Sequence, residues 1–131
     1  MNSRVTIEEL ESHADARGLV FEPVQPEHLA AQRNAHVVIT QPGGIRGNHY
    51  HRHGSEITVI LGPALVRLRE GQTVRDIPVP PGKIVRFFFP PGVAHAFQNT
   101  GTAPMLAVAF NSQAFDPAQP DVVRDTLIPI G

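Results

Sequence analysis

From Ala35 onward the chain is cut at regular intervals by turn residues: Gln41-Pro42-Gly43-Gly44, Gly62-Pro63, Gly71-Gln72, Pro80-Pro81-Gly82, Pro90-Pro91-Gly92 and Gly101-Thr102. Proline pre-sets one turn dihedral and glycine tolerates the positive φ that tight turns need. The runs between them are short and rich in β-formers: Ala35–Thr40, Ile45–His51, Glu56–Leu61, Ala64–Glu70, Thr73–Pro78, Ile84–Phe89, Ala94–Asn99 and Pro104–Asn111. In one of them Ala64, Val66 and Leu68 alternate with Leu65, Arg67 and Arg69, the period of two of a half-buried strand. Eight or more strands at this spacing predict an all-β sandwich or barrel.

The flanks are less regular. Thr6–Ser12 reads either as a short helix, with Thr6 as N-cap and Glu9 three residues on, or as a strand at Arg4–Ile7. Asp15-Ala16-Arg17-Gly18 is a turn before a strand at Leu19–Val24, and Pro26–Arg33 is a polar connection with one helical turn. The proline-punctuated tail from Ser112 adds an edge strand near Val122–Ile128. The 131 residues are read as one domain: an N-terminal arm with the first strands over 1–34, a barrel core over 35–111 and a tail over 112–131.

Composition removes several classes of function. With no cysteine there is no disulfide framework, thiolate metal site or cysteine nucleophile. The 11 basic and 12 acidic residues are dispersed, with a net charge of -1, which argues against a nucleic-acid or membrane surface as partner. No apolar run approaches a membrane span, so a soluble, cytoplasmic protein is the expectation.

The chemistry concentrates in Arg46-Gly47-Asn48-His49-Tyr50-His51-Arg52-His53-Gly54-Ser55-Glu56. Neutral imidazole and ionised carboxylate are ordinary ligands for a divalent metal. His49 and His51 share a strand face, whereas Glu56, seven residues after His49, would point the other way on an unbroken strand. The Gly54-Ser55 turn must reset the parity, and a hairpin is the simplest geometry that does so. Without a further partner the same residues read as an exposed, polar hairpin tip; His95, in Pro90-Pro91-Gly92-Val93-Ala94-His95, is that partner. His53 sits in the turn and is read as solvent-exposed, while His13, His28 and His36 are surface or ordinary strand residues. Arg46 has the wrong parity to face the same way as His49 unless Gly47 marks a bulge. Phe87, Phe88 and Phe89 read as core and rim packing, and Phe97 and Phe110 as core.

These two segments resemble the paired motifs of the cupin superfamily. The first runs Gly43, His49, His51, Glu56, Gly62, and the second Gly82, Pro90, Gly92, His95, Asn99, each with one loop length different from the common pattern. The resemblance implies a double-stranded β-helix, or jelly-roll barrel. It is narrower still at Asp15-x-Arg17-Gly18, Pro42-Gly43-x-x-Arg46-Gly47-Asn48-His49-Tyr50-His51, Pro90-Pro91-Gly92-x-x-His95 and Phe115-Asp116-Pro117. Over about residues 15–128 the chain is similar to the C-terminal cupin domain of bifunctional capsular-polysaccharide nucleotide-sugar enzymes, where it follows a reductase domain that has no counterpart here. A looser likeness, through Arg46-Gly47-x-His49, holds to dTDP-4-keto-sugar 3,4-ketoisomerases and 3,5-epimerases.

This likeness implies an epimerase or isomerase of a 4-keto nucleotide sugar in polysaccharide biosynthesis, and a homodimer. His49, His51, Glu56 and His95 would hold a divalent metal, zinc before iron, manganese or nickel. Arg46 would face a substrate phosphate, and in metal-free relatives the histidine matching His49 is the catalytic base, a role incompatible with full-time ligation. The only tyrosine, Tyr50, alternates with the ligand histidines, so the tyrosine acid of the 3,5-epimerases is absent. Two rival readings stand beside this one. The first is an iron-dependent oxygenase or lyase on a small acid, since three histidines and a glutamate also suit oxygen chemistry. The second is a non-catalytic sugar-binding cupin.

Overall fold

The computed structural model describes residues 3–130. Two five-stranded antiparallel sheets face each other. The first has the order β1 (Thr6–Glu9), β9 (Ile84–Phe89), β6 (Glu56–Leu61), β11 (Met105–Asn111) and β4 (Asn34–Thr40). The second runs β12 (Val122–Arg124), β5 (Ile45–His51), β10 (Ala94–Asn99), β7 (Ala64–Glu70) and β8 (Thr73–Val79). A separate hairpin of β2 (His13–Asp15) and β3 (Gly18–Val20) and the single turn α1 (Pro26–Leu29) lie before the barrel strands. Without the added strands β1 and β12, the order β4-β11-β6-β9 against β5-β10-β7-β8 is that of a jelly roll, the cupin fold.

The turn chemistry places most of these strands where the sequence predicts them. Two expectations change, and one open alternative is decided. Of the helix and strand readings near the N-terminus the strand holds, at Thr6–Glu9, because β9 offers it an open edge and Ile7 packs against the core. The strand expected over Leu19–Val24 stops at Val20, short of Pro23, which has no N–H to give a ladder. The tail strand ends at Arg124, since Leu127 and Ile128 turn to pack on Ala94 and Ala96.

The parity problem at Glu56 has a different solution from the hairpin. β5 and β6 are not paired: β5 bonds β10 and β12, whereas β6 bonds β9 and β11. Residues 52–55 therefore cross from one sheet to the other. His49 and His51 meet Glu56 because the inner faces of two opposed sheets look at each other.

The barrel interior is graded along its length. Ile60, Val66, Leu68, Phe87 and Phe97 join one apolar cluster drawn from both sheets. Each such fully buried side chain contributes about 1.5–3 kcal/mol. Continuing the same strand faces, Ile60 leads through Thr58 to Glu56 on β6, and Phe97 leads to His95 on β10. A dry floor thus supports a polar upper chamber.

One irregularity sets the wall of that chamber. Opposite β10 the register passes from His95↔His49 to Ala96↔Gly47, so Asn48 is an extra residue. This is a β-bulge, with φ of 87° at Gly47 and 57° at Asn48. It removes the parity objection to Arg46, which lines the same interior cavity as His49, Glu56 and His95. A Cβ at position 47 would come 2.7 Å from the His95 carbonyl oxygen, on a backbone that L-residues rarely adopt. We expect Gly47→Ala to cost about 2–3 kcal/mol in urea denaturation, from backbone strain plus the displaced strand.

Candidate metal centre

Four predicted ligands come together. One ring nitrogen from each of His49, His51 and His95 and a carboxylate oxygen of Glu56 all lie within 4.8 Å of one another. β5 supplies two of them on alternate positions, β10 supplies His95 directly opposite His49, and Glu56 opens β6 on the facing sheet.

The orientation of His95 is set by its backbone. Its Nδ1 lies 3.1 Å from the carbonyl of Val93, which only accepts, so Nδ1 carries the proton. In the neutral ring Nε2 is then a bare lone pair. That atom is buried, 3.2 Å from Glu56 Oε2, and has no aligned hydrogen-bond partner. Phe89 stacks on the ring at 4.2 Å and 7°, closing its apolar side. A lone pair held against a carboxylate oxygen calls for a cation between them, and the hard and borderline donors present suit a divalent metal.

Glu56 is the anionic member. Burial alone would raise its carboxyl pKa, but the adjoining His95 and His51 imidazoles and the Thr58 hydroxyl outweigh it and hold the group well below the ordinary range. Thr58 Oγ1 donates to Oε2 at 2.5 Å and Asn111 Nδ2 to Oε1 at 3.1 Å, while His51 Nε2 lies 3.1 Å from Oε1. The carboxylate is thus fixed in place.

For His49, burial and then the neighbouring His95 lower the imidazole to about 4, with Glu56 opposing and His51 and Arg124 adding smaller effects. At neutral pH the ring is uncharged, as either a ligand or a base requires.

Arg46 stands on the same cavity wall, its Nη2 donating to the Ile39 carbonyl at 3.2 Å and Nε to Thr40 Oγ1 at 3.4 Å. The chamber opens into a cavity of about 490 Å³ lined by His36, His49, His51, Phe115 and Asp121. His53 is exposed in the crossing, as read from the sequence. Tyr50 packs on the outer face beside Ala94, Ala96 and Leu127, away from the histidines. Phe87 and Phe89 are core, and Phe97 and Phe110 are buried.

Sequence reasoning missed four participants. Thr58 and Asn111 hold Glu56 from two strands of its own sheet, and Thr58 was within reach as the next residue on the Glu56 strand face. His36, read as an ordinary strand residue, lines both the inner chamber and the outer cavity. Asp121 arrives from the tail, with its Oδ2 3.7 Å from His51 Nδ1, and no local pattern marks it.

A jelly-roll barrel with three histidines and a glutamate at its open end defines the cupin class. The chain belongs to the polysaccharide biosynthesis C-terminal domain family, whose profile matches residues 13–123. No curated protein sequence matches it. Among solved structures it is similar to the capsular polysaccharide assembling protein CapF from Staphylococcus aureus, at 26% identity and a TM-score of 0.67. That match covers 90% of this chain and 33% of CapF, so the chain spans about a third of that relative. The fold is also similar to ChmJ, a 3'-monoepimerase from Streptomyces bikiniensis solved with dTDP-quinovose. There the TM-score is 0.73 at 20% identity, covering 92% of this chain and 68% of that one. QdtA, a sugar 3,4-ketoisomerase from Thermoanaerobacterium thermosaccharolyticum solved with TDP, gives 0.72 at 16% identity, covering 95% and 90%.

The lowered His49 value has a stability consequence. The unfolded chain takes up this proton near the ordinary 6.5, the folded protein only near 4. The contribution is therefore complete above pH 6.5 and is lost as pH falls toward 4. Metal-free protein should lose stability through that window in chemical denaturation, and His49→Asn should flatten the loss.

Proposed function

We propose that this protein is a metal-dependent epimerase or isomerase of a 4-keto nucleotide sugar in polysaccharide biosynthesis. In this reading His49, His51, Glu56 and His95 hold one divalent ion, zinc, and the protein works as a cytoplasmic homodimer. The observation that carries the proposal is that Arg46 lines the same cavity as three of the four clustered groups, His49, Glu56 and His95. The family match and the sugar-nucleotide ligands of ChmJ and QdtA support it.

The roles of the side chains follow from their positions. Arg46 offers a planar fork of donors that suits a diphosphate oxygen pair. The apolar floor under the chamber keeps water from competing for the substrate carbonyl, which strengthens every polar contact above it. A divalent metal in this position supplies Lewis acidity, which makes the hydrogen beside a ketone easier to remove. With His49 committed as a ligand, His36 is the imidazole on the cavity wall left to move that proton. Protonation from solvent on the opposite face gives epimerisation; protonation of the neighbouring carbon through an enediol moves the ketone.

Elemental analysis of purified protein tests the ligand set. The expectation is near-stoichiometric zinc, lost in His51→Ala. Iron in its place would move the reading to oxygen chemistry, and no metal in either protein would overturn the ligand assignment and return His49 to the role of base. Incubation with dTDP-4-keto-sugars in deuterium oxide then tests the reaction, with solvent deuterium expected beside the ketone. A binding module would leave the sugar unlabelled. Arg46→Ala should raise KM about 10–100-fold through the loss of charge-assisted hydrogen bonds.

A further inference from the structure

We infer that Asp121, carried by the C-terminal tail, is the positioning residue for His51 and the latch of the sheet crossing on which Glu56 depends. The inference rests on the metal reading above. β12 pairs with β5 so that Val122 stands opposite His51, which brings the residue before it to the start of the crossing. There Asp121 takes three consecutive backbone donors. Its carbonyl accepts from Arg52 N at 2.8 Å, Oδ1 from His53 N at 2.9 Å and Oδ2 from Gly54 N at 2.9 Å. A Cβ at position 54 would lie 3.0 Å from Oδ2, so a larger residue there would crowd the latch.

The same Oδ2 lies 3.7 Å from His51 Nδ1, while His51 Nε2 faces Glu56. An imidazole that ligates through one nitrogen keeps a proton on the other, and a carboxylate facing that second nitrogen selects the tautomer and strengthens the ligand. Asp121 is outside the four-ligand cluster, yet it lines the cavity above it. Its place parallels that of the Val93 carbonyl at His95, 3.7 Å from the ring nitrogen against 3.1 Å and so outside hydrogen-bond distance: an acceptor behind the ring that favours the tautomer with its lone pair toward the cluster. The difference is charge, since a carboxylate polarises the ring more than a carbonyl does. A residue more than sixty positions downstream therefore completes the site built by β5 and β6.

Zinc affinity of wild type and Asp121→Asn, measured by competition with a chromophoric chelator, tests this role. The expected result is binding 10–100-fold weaker in the variant, the usual cost of losing such a partner. Far-UV circular dichroism of the metal-free proteins confirms that both are folded. Affinity within twofold of wild type would overturn the inference and leave Asp121 as a loop anchor. A second readout needs no variant: long-range proton–nitrogen NMR of the zinc-loaded wild type should show His51 protonated on Nδ1. Protonation on Nε2 would overturn the inference even if Asp121→Asn does not fold. A wild type that takes up no zinc would overturn the metal reading itself, and this inference with it; undiminished binding in Asp121→Asn overturns only the latter.

Discussion

A carboxylate buried in the barrel wall is the constraint to which the upper half of this protein answers. An ionised Glu56 taken out of water costs several kcal/mol unless it is compensated on every side. Thr58 and Asn111 donate to it from the sheet that carries it, and His51 and His95 face it from the sheet opposite. Those contacts close the open end of the jelly roll as well as forming its site. The neutral donors hold the carboxylate still, and the imidazoles bring lone pairs to the same point. In the metal reading proposed above, a divalent cation reconciles the two.

The wall is shaped by backbone rather than by side-chain size. Asn48, the extra residue of the bulge, is buried, and its amide is used at both ends: Oδ1 accepts from Leu127 N and Ile128 N, and Nδ2 donates to the Ile128 carbonyl. The device that turns Arg46 inward therefore also fastens the tail to the outside of the same strand. Farther along, Arg69 and Asp125 form an ion pair between β7 and the tail. Rigidity at the site is thus distributed over segments far apart in sequence, which is what a preorganised polar centre requires.

Most of the strand framework was legible because turn residues act locally. Proline and glycine end strands whatever lies on the far side of the molecule, so Ile45–His51, Glu56–Leu61, Ala64–Glu70, Ile84–Phe89 and Ala94–Asn99 were readable from their boundaries. The four proposed ligands were legible for a related reason: His-x-His encodes a strand face, and His95 follows a proline-glycine turn of its own. Pairing was not legible. The connection from His51 to Glu56 has the length of a hairpin loop, and only the partners of β5 and β6 show that it passes between sheets.

The sequence by itself determined an all-β chain of short antiparallel strands, a histidine and glutamate set with metal-ligand chemistry, and the single tyrosine turned away from it. Local dihedral preference and the alternation of a strand are enough for each. Only the tertiary structure decided that Arg46 and His36 line the chamber, that Thr58 and Asn111 hold Glu56, and that Asp121 lies beside His51. Those outcomes depend on which strands become neighbours and on one extra residue in a ladder. Such long-range pairings are selected by burial of the whole apolar floor and leave no mark on the few residues that they bring together.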